Sequence, residues 1–181
     1  MHELFTELKQ KFGALNYLVN NAGIDSFCEP ESFSISQFQH VMDVNVTSVF
    51  IAVSGALPLL REANHPSIVN VGSVHGHVTT TGRADYVTSK TALIGATRAL
   101  SLDLASYGIR VNMVSPGAIE TPMLVRAWEK KAPDVSLDEL RQRAGAEHPS
   151  RRIGTPEDIA YAIRFLLSNQ AGFINGTDLM V

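Results

Sequence analysis

Tyr86 and Lys90 stand four residues apart in the stretch YVTSK, with only small or β-branched residues between them. On a helix this spacing puts the phenol and the ammonium on one face, one turn apart. A helix gains little from the pair, but a catalyst gains an acid. A free tyrosine titrates near pH ~10, and to exchange protons near neutrality it must titrate some two to three units lower, about 3–4 kcal/mol. One cation ~4–5 Å away, at an effective dielectric of about 20, supplies roughly that amount. Lys90 is the candidate cation. Tyr86 is the candidate general acid/base, protonating a carbonyl oxygen in reduction or deprotonating an alcohol in oxidation. Ser73, thirteen positions before Tyr86, can hydrogen-bond the same oxygen and stabilise charge developing there. Asn45, within DVNV, is an amide in an otherwise apolar stretch, an unfavourable place without a partner. Alone, Tyr86 and Lys90 read equally well as an exposed helical pair. Ser73 and Asn45 in register turn the balance towards chemistry.

The elements that must position these residues alternate. Residues 2–12 read as a helix with Leu4, Phe5, Leu8 and Phe12 on one face, and 15–21 as a strand. Ser36 opens a long helix, with Gln39 completing a capping pattern; it runs to about Leu60, where Pro58 bends or ends it. A strand at 67–73 precedes a second long helix, 84–106, stopped by Gly108. Residues 109–116 form a third strand. Ser136 and Glu139 repeat the capping pattern before another helix. Thr155 caps and Pro156 opens a helix that ends near Ser168, and the chain closes on a strand. Such alternation predicts an α/β fold: one domain over 1–181, a parallel sheet with helices on both faces. Ligands of open α/β sheets sit beyond the carboxyl ends of the strands. Three strands end there in candidate site residues: Asn20 to Gly23, Gly72 and Ser73, and Ser115 to Gly117.

Composition narrows the partners. At 45% hydrophobic and 18% charged, 181 residues suit one globular domain and argue against disorder. A net charge of −3 and a pI near 6.0 give no general field for nucleic acid or anionic lipid. The apolar runs look too short to cross a bilayer. The N-terminus reads as an amphipathic helix carrying acids, not a secretory signal. A single cysteine, Cys28, excludes an internal disulfide and reads as a plain loop thiol, so a reducing cytoplasm is the expected compartment.

Taken together, NNAG at 20–23, Asn45 in DVNV, Ser73, YVTSK at 86–90, PGAIET at 116–121, RIGTPEDIA at 152–160 and the closing NGTDLMV resemble the short-chain dehydrogenases/reductases. The ordered set, at the family's separations, spans nearly the whole chain. The resemblance implies a Rossmann-type doubly wound sheet in three αβα layers, of which this chain is the C-terminal portion. The family's first strands and its glycine-rich cofactor turn have no counterpart here. It also implies hydride transfer between NAD or NADP and a small-molecule carbonyl or secondary alcohol. Tyr86 is then the acid/base, and Lys90 lowers its pKa and holds the coenzyme ribose. Ser73 orients substrate, and Asn45 holds a water that links Lys90 to solvent. Asn21, Ala22 and Gly23 form part of the cofactor wall, with Asn21 also tying adjacent strands. Pro116 and Gly117 belong to the cofactor-binding loop, and the backbone around Ile119 with the Thr121 hydroxyl holds the nicotinamide carboxamide; Pro116 and Gly117 read also as turn punctuation, and Thr121 as a plain helix cap. Without the glycine-rich turn, weak dinucleotide binding is expected. The alternative is a shortened relative that keeps an oligomer face as a non-catalytic scaffold.

Other segments carry lesser expectations. His75 and His77 form H-G-H just past Ser73. Ordinary loop exposure ranks first, lining of the substrate pocket second, and a metal site last, since no third ligand is evident. Residues 122–150 resemble a mobile substrate lid, although Trp128 reads equally well as packed on the core. Small residues at Ala92, Gly95, Ala96 and Ala99 let another helix approach. The resemblance implies a homo-oligomer through helices 37–60 and 84–106; packing on the chain's own sheet is the alternative. Strand 15–21 is expected at a sheet edge. A complementing N-terminal segment, pairing with a second copy, or a rearranged N-terminal helix would cover it.

Overall fold

The computed structural model describes residues 2–27 and 29–181; Cys28 lies outside them. Helix α1 (His2–Phe12) leads to strand β1 (Tyr17–Asn20). Helices α2 (Ile35–Met42) and α3 (Ser48–Leu60) are one continuous rod joined by a π-helical turn, Asp43–Thr47. Then follow β2 (Ser67–Val71), α4 (Ala84–Asp103), β3 (Arg110–Ser115), α5 (Pro122–Lys131), α6 (Leu137–Glu147), α7 (Pro156–Leu167) and β4 (Asp178–Met180). The four strands pair in parallel in the order β1-β2-β3-β4. This is the expected α/β sheet of Rossmann type.

Alternation along the strands explains the two cores. Ile68, Val111 and Met113 point to one face, where they meet Val49, Val53 and Ala56 of α3, Leu93 and Leu100 of α4, and Phe5 of α1. Val69 and Val114 point to the other, against Ile159 and Leu166 of α7. Chain punctuation falls largely where expected. Gly108, at φ +71°, takes the left-handed conformation that closes the 3₁₀ turn after α4. Thr155 and Asp158 form a reciprocal capping box at α7, with Pro156 in its first turn.

Several expectations need correction. The helix leading to Leu60 is capped by Ser34, whose hydroxyl accepts from Gln37 N–H at 3.3 Å, while Ser36 lies inside the first turn. The rod Ile35–Leu60 has 26 residues and is, by length and composition alone, long enough to span a bilayer. Along α3, however, Val49, Val53, Ala56, Leu59 and Leu60 are buried, as in a core helix. The amide that ties β1 to β2 is Asn20, which donates to Asn70 Oδ1 at 2.8 Å, rather than Asn21. Finally, β1 is not covered on both faces. Leu18 packs on the α3–α4 side, but Tyr17 and Val19 are 48% and 40% exposed, because α7 lies over β2 and β3. Helix α1 lies on α3, with Phe5 against Gly55, and does not fold over the β1 edge. Leu4 and Phe12, expected on its buried face, are exposed.

Candidate active site

Helix α4 starts just after Arg83, so Tyr86 sits in its first turn and Lys90 one turn on. Tyr86 is 9% and Lys90 6% exposed, which removes the reading of a solvated helical pair. The Lys90 ammonium lies 5.7 Å from the Tyr86 ring centroid. It donates to the Val71 carbonyl, at the carboxyl end of β2, at 3.1 Å. Ser73 follows β2 in extended conformation and is buried. Its hydroxyl accepts from His75 N–H at 3.1 Å and lies near enough to the Tyr86 phenol to pull the phenol's pKa down. Phenol, hydroxyl and ammonium thus converge at the mouth of the sheet.

The π turn explains how Asn45 is tolerated. A π turn inserts one extra residue into a helix, a distortion frequent at functional sites. Here it places Asn45, 1% exposed, so that Oδ1 accepts from Ile24 N–H at 2.8 Å. Nδ2 donates to Ile24 C=O at 3.0 Å and to Ser89 Oγ at 2.9 Å. Gly23 lies between the functional groups: a Cβ there would stand 3.3 Å from Asn45 Oδ1 and 3.5 Å from Lys90 Nζ. A side chain there would be tight against the Asn45 amide and in contact with the Lys90 ammonium.

The loop after β3 joins the strand ends. Pro116 C=O accepts from Val74 N–H at 3.0 Å, tying this loop to the turn that follows Ser73. Gly117 N–H donates to Val181 C=O at 2.8 Å. Ile119 bridges to Gly154. Thr121 caps α5, its hydroxyl accepting from Leu124 N–H at 3.3 Å. That is the plain structural role open to it, and it leaves the hydroxyl proton free to donate. Asn21 and Ala22, exposed after β1, and Gly23 border the same mouth.

Several neighbours had no signal in the sequence. Asp25 pairs with Arg83 at 3.2 Å, both largely buried. Asp85, 1% exposed, accepts from the Tyr86 N–H at 2.8 Å, from Gln37 at 3.3 Å and from the Ser26 hydroxyl. The Arg83 guanidinium stacks over Phe27 at 4.4 Å. Residues 24–27 are therefore gripped one by one from the start of α4 and from the π turn. The only cue was position: Arg83 and Asp85 immediately precede Tyr86, and Asp25 follows Gly23 by two. His75 presents its ring to Tyr86 edge-on at 6.3 Å. His77 instead bonds Asp178 at 2.6 Å. The two histidines thus part, and among the described residues no group of three or more His, Cys, Asp or Glu converges to hold a metal.

The electrostatics depart from the simple expectation. Burial pushes the Tyr86 phenol up, and the Ser73 hydroxyl only partly opposes it. Burial also lowers Lys90 to about 8, against the pull of Asp25. Asp25 is raised by burial despite the Arg83 charge, and His75 is lowered by burial and by Arg83. The protein's own groups therefore gather the acid/base set without making Tyr86 a stronger acid. Desolvation outweighs the Ser73 hydroxyl and the Arg83 charge.

Known proteins share both sequence and fold. A family model described as "Enoyl-(Acyl carrier protein) reductase" matches residues 1–181. The 2-(S)-hydroxypropyl-CoM dehydrogenase 3 of Xanthobacter autotrophicus is 39% identical, over 97% of this chain and 68% of its own length. A second protein of that organism, named inactive 2-(S)-hydroxypropyl-CoM dehydrogenase 2, is 39% identical over 93% of this chain and 72% of its own length. The ligand-free aldohexose dehydrogenase of Thermoplasma acidophilum superimposes with a TM-score of 0.95 at 37% identity, covering 99% of this chain and 71% of that one. The chain thus spans about two thirds of the length of such relatives. With the family model matching from end to end, the chain belongs to the short-chain dehydrogenase/reductase family of oxidoreductases.

Proposed function

We propose that the protein interconverts a carbonyl and a secondary alcohol with NAD or NADP, using Tyr86 as general acid/base. The observation that carries this reading is the convergence of the buried Tyr86, Ser73 and Lys90 side chains. Ser73 holds the reacting oxygen and Tyr86 passes its proton. Lys90 favours the phenolate electrostatically, and Asn45 fixes the loop beside them. A bound nicotinamide coenzyme supplies the hydride donor or acceptor, chemistry that no side chain here provides. The residues fit such a group. Gly23 keeps a bare backbone beside Asn45 and Lys90, and Lys90 commits one of its three donors to Val71, leaving two for ribose hydroxyls. Asn21 and Ala22 would wall the coenzyme, and the backbone of Pro116, Gly117 and Ile119 with the Thr121 hydroxyl would hold its carboxamide.

A second reading, a scaffold without turnover, draws on the relative whose name calls it inactive. Following nicotinamide absorbance with a panel of small ketones and secondary alcohols separates the two. Under the enzymatic reading, turnover is coenzyme-dependent and Ser73→Ala lowers kcat/KM by about a hundredfold. No coenzyme-dependent turnover with any pairing would favour the scaffold.

A further inference from the structure

Residues Met123, Arg126, Ala127 and Lys130 follow one another at i, i+3, i+4 and i+7, which puts them on a single face of α5. That face meets the loop after β1 across a cavity of about 340 Å³. Gly23, which adjoins Asn45 and Lys90, is part of its lining, so the cavity borders the candidate active site on that side. Its apolar lining is modest: Ile24, Phe27, Met123 and Ala127.

The charges on its wall are unbalanced. Asp25 is the one carboxylate in the lining, and it is committed to Arg83 at 3.2 Å. Among the described residues, no ion pair to a carboxylate involves Arg126 or Lys130. Lys130 lies over the Phe27 ring at 5.2 Å, and Arg83 lies over the same ring at 4.4 Å. Arg126 and Lys130 therefore line the cavity with no carboxylate partner among the described residues. A neutral ketone would leave them unused, whereas an anion joined to the carbonyl by a short carbon chain would cross the apolar middle and meet them at the rim.

We propose that the Arg126 and Lys130 face of α5 is the subsite for an anionic tail, so that the substrate is a short oxo- or hydroxy-carboxylate or a comparable anion. This rests on the reading of Tyr86 as the acid/base and extends it to the other end of the substrate. Exposed charge pairs are each worth up to about fivefold in affinity, and two acting together about tenfold or more. The effect weakens with salt.

The test compares levulinate with its methyl ester, which keeps the ketone and removes the charge. Binding is measured by equilibrium dialysis at low and high ionic strength, with fluorescence of Trp128, the chain's single tryptophan and a member of α5, reporting on the same helix. Levulinate is expected to bind about tenfold more tightly than the ester at low salt, with the advantage shrinking at high salt. The pair R126Q and K130Q should bring levulinate down to the level of the ester and leave the ester unchanged. Arg126→Glu should push levulinate below the ester. Equal affinity for the two compounds, or a preference that survives the double substitution, overturns the proposal. Tyr86→Phe should leave the binding preference intact, so failure of the acid/base reading shows in turnover alone and failure of the subsite shows in binding alone.

Discussion

Lys90 carries two opposed demands, and their magnitudes decide what the residue does. As a cation beside Tyr86 it favours the phenolate; as a buried ammonium it costs stability. Its pKa falls from 10.5 to about 8, a difference of 2.5 units, or roughly 3 kcal/mol. The unfolded chain holds this proton up to the higher value, so the folded state is penalised below about 8. The penalty is relieved as pH rises from about 8 towards 10.5. Lys90→Met removes it but loses the hydrogen bond to Val71, worth about 1–2 kcal/mol. The variant should therefore be about 1–2 kcal/mol more stable at neutral pH, lack the wild-type rise in stability above pH 8, and show no turnover. Urea unfolding across pH checks this; a destabilised variant with an unchanged pH dependence would count against it. That Tyr86, Lys90, Ser73 and Asn45 gather in one buried place was legible in the sequence, because their types and spacing suit one chemistry. Asp25, Arg83 and Asp85 were not, because a charge beside a loop reads as solvated until the fold shows that Asp25 and Arg83 face each other and that Asp85 is buried.

At the scale of elements, the informative departure is the π turn inside the long helix. The sequence showed an unfavourable amide in an apolar helix, but not the extra residue that accommodates it. A single helical period cannot reveal a local shift in hydrogen bonding. The capping residue was misplaced by two for a related reason: Ser34 and Ser36 both offer a hydroxyl, and only the chain's entry angle selects Ser34. Asn45 bonds both main-chain groups of Ile24 and the Ser89 hydroxyl. Asn45→Ala should cost about 2–3 kcal/mol and loosen residues 23–27 beside Tyr86. Chemical denaturation gives the first, and hydrogen exchange at the Ile24 amide gives the second. An unchanged exchange rate would mean that the loop is held by Asp85 and Arg83 alone.

At the scale of the molecule, the parallel sheet and its four strands were legible because alternating elements leave few other architectures. What covers the sheet was not, because coverage depends on where helices land rather than on what forms them. The β1 edge hydrogen-bonds to no further strand among the described residues, and Tyr17 and Val19 stay exposed beside it. Phe50 and Ile51 of α3 are 46% and 50% exposed, and space lies open beyond Gly95 of α4. These features support the proposed homo-oligomer through the rod that contains α3 and through α4. Sedimentation at micromolar concentration should show an oligomer that Ile51→Glu converts to monomer, while Tyr17→Lys leaves it assembled. A wild-type monomer would contradict the interface, and an oligomer lost only with Tyr17→Lys would move it to the sheet edge.

The most direct test of the acid/base assembly is single-turnover hydride transfer by Tyr86→Phe, with coenzyme binding measured in parallel. The substitution keeps the buried ring and removes one oxygen. The rate should fall by about a thousandfold while coenzyme affinity stays within a factor of about three. A rate within about tenfold of wild type would contradict the role given to Tyr86.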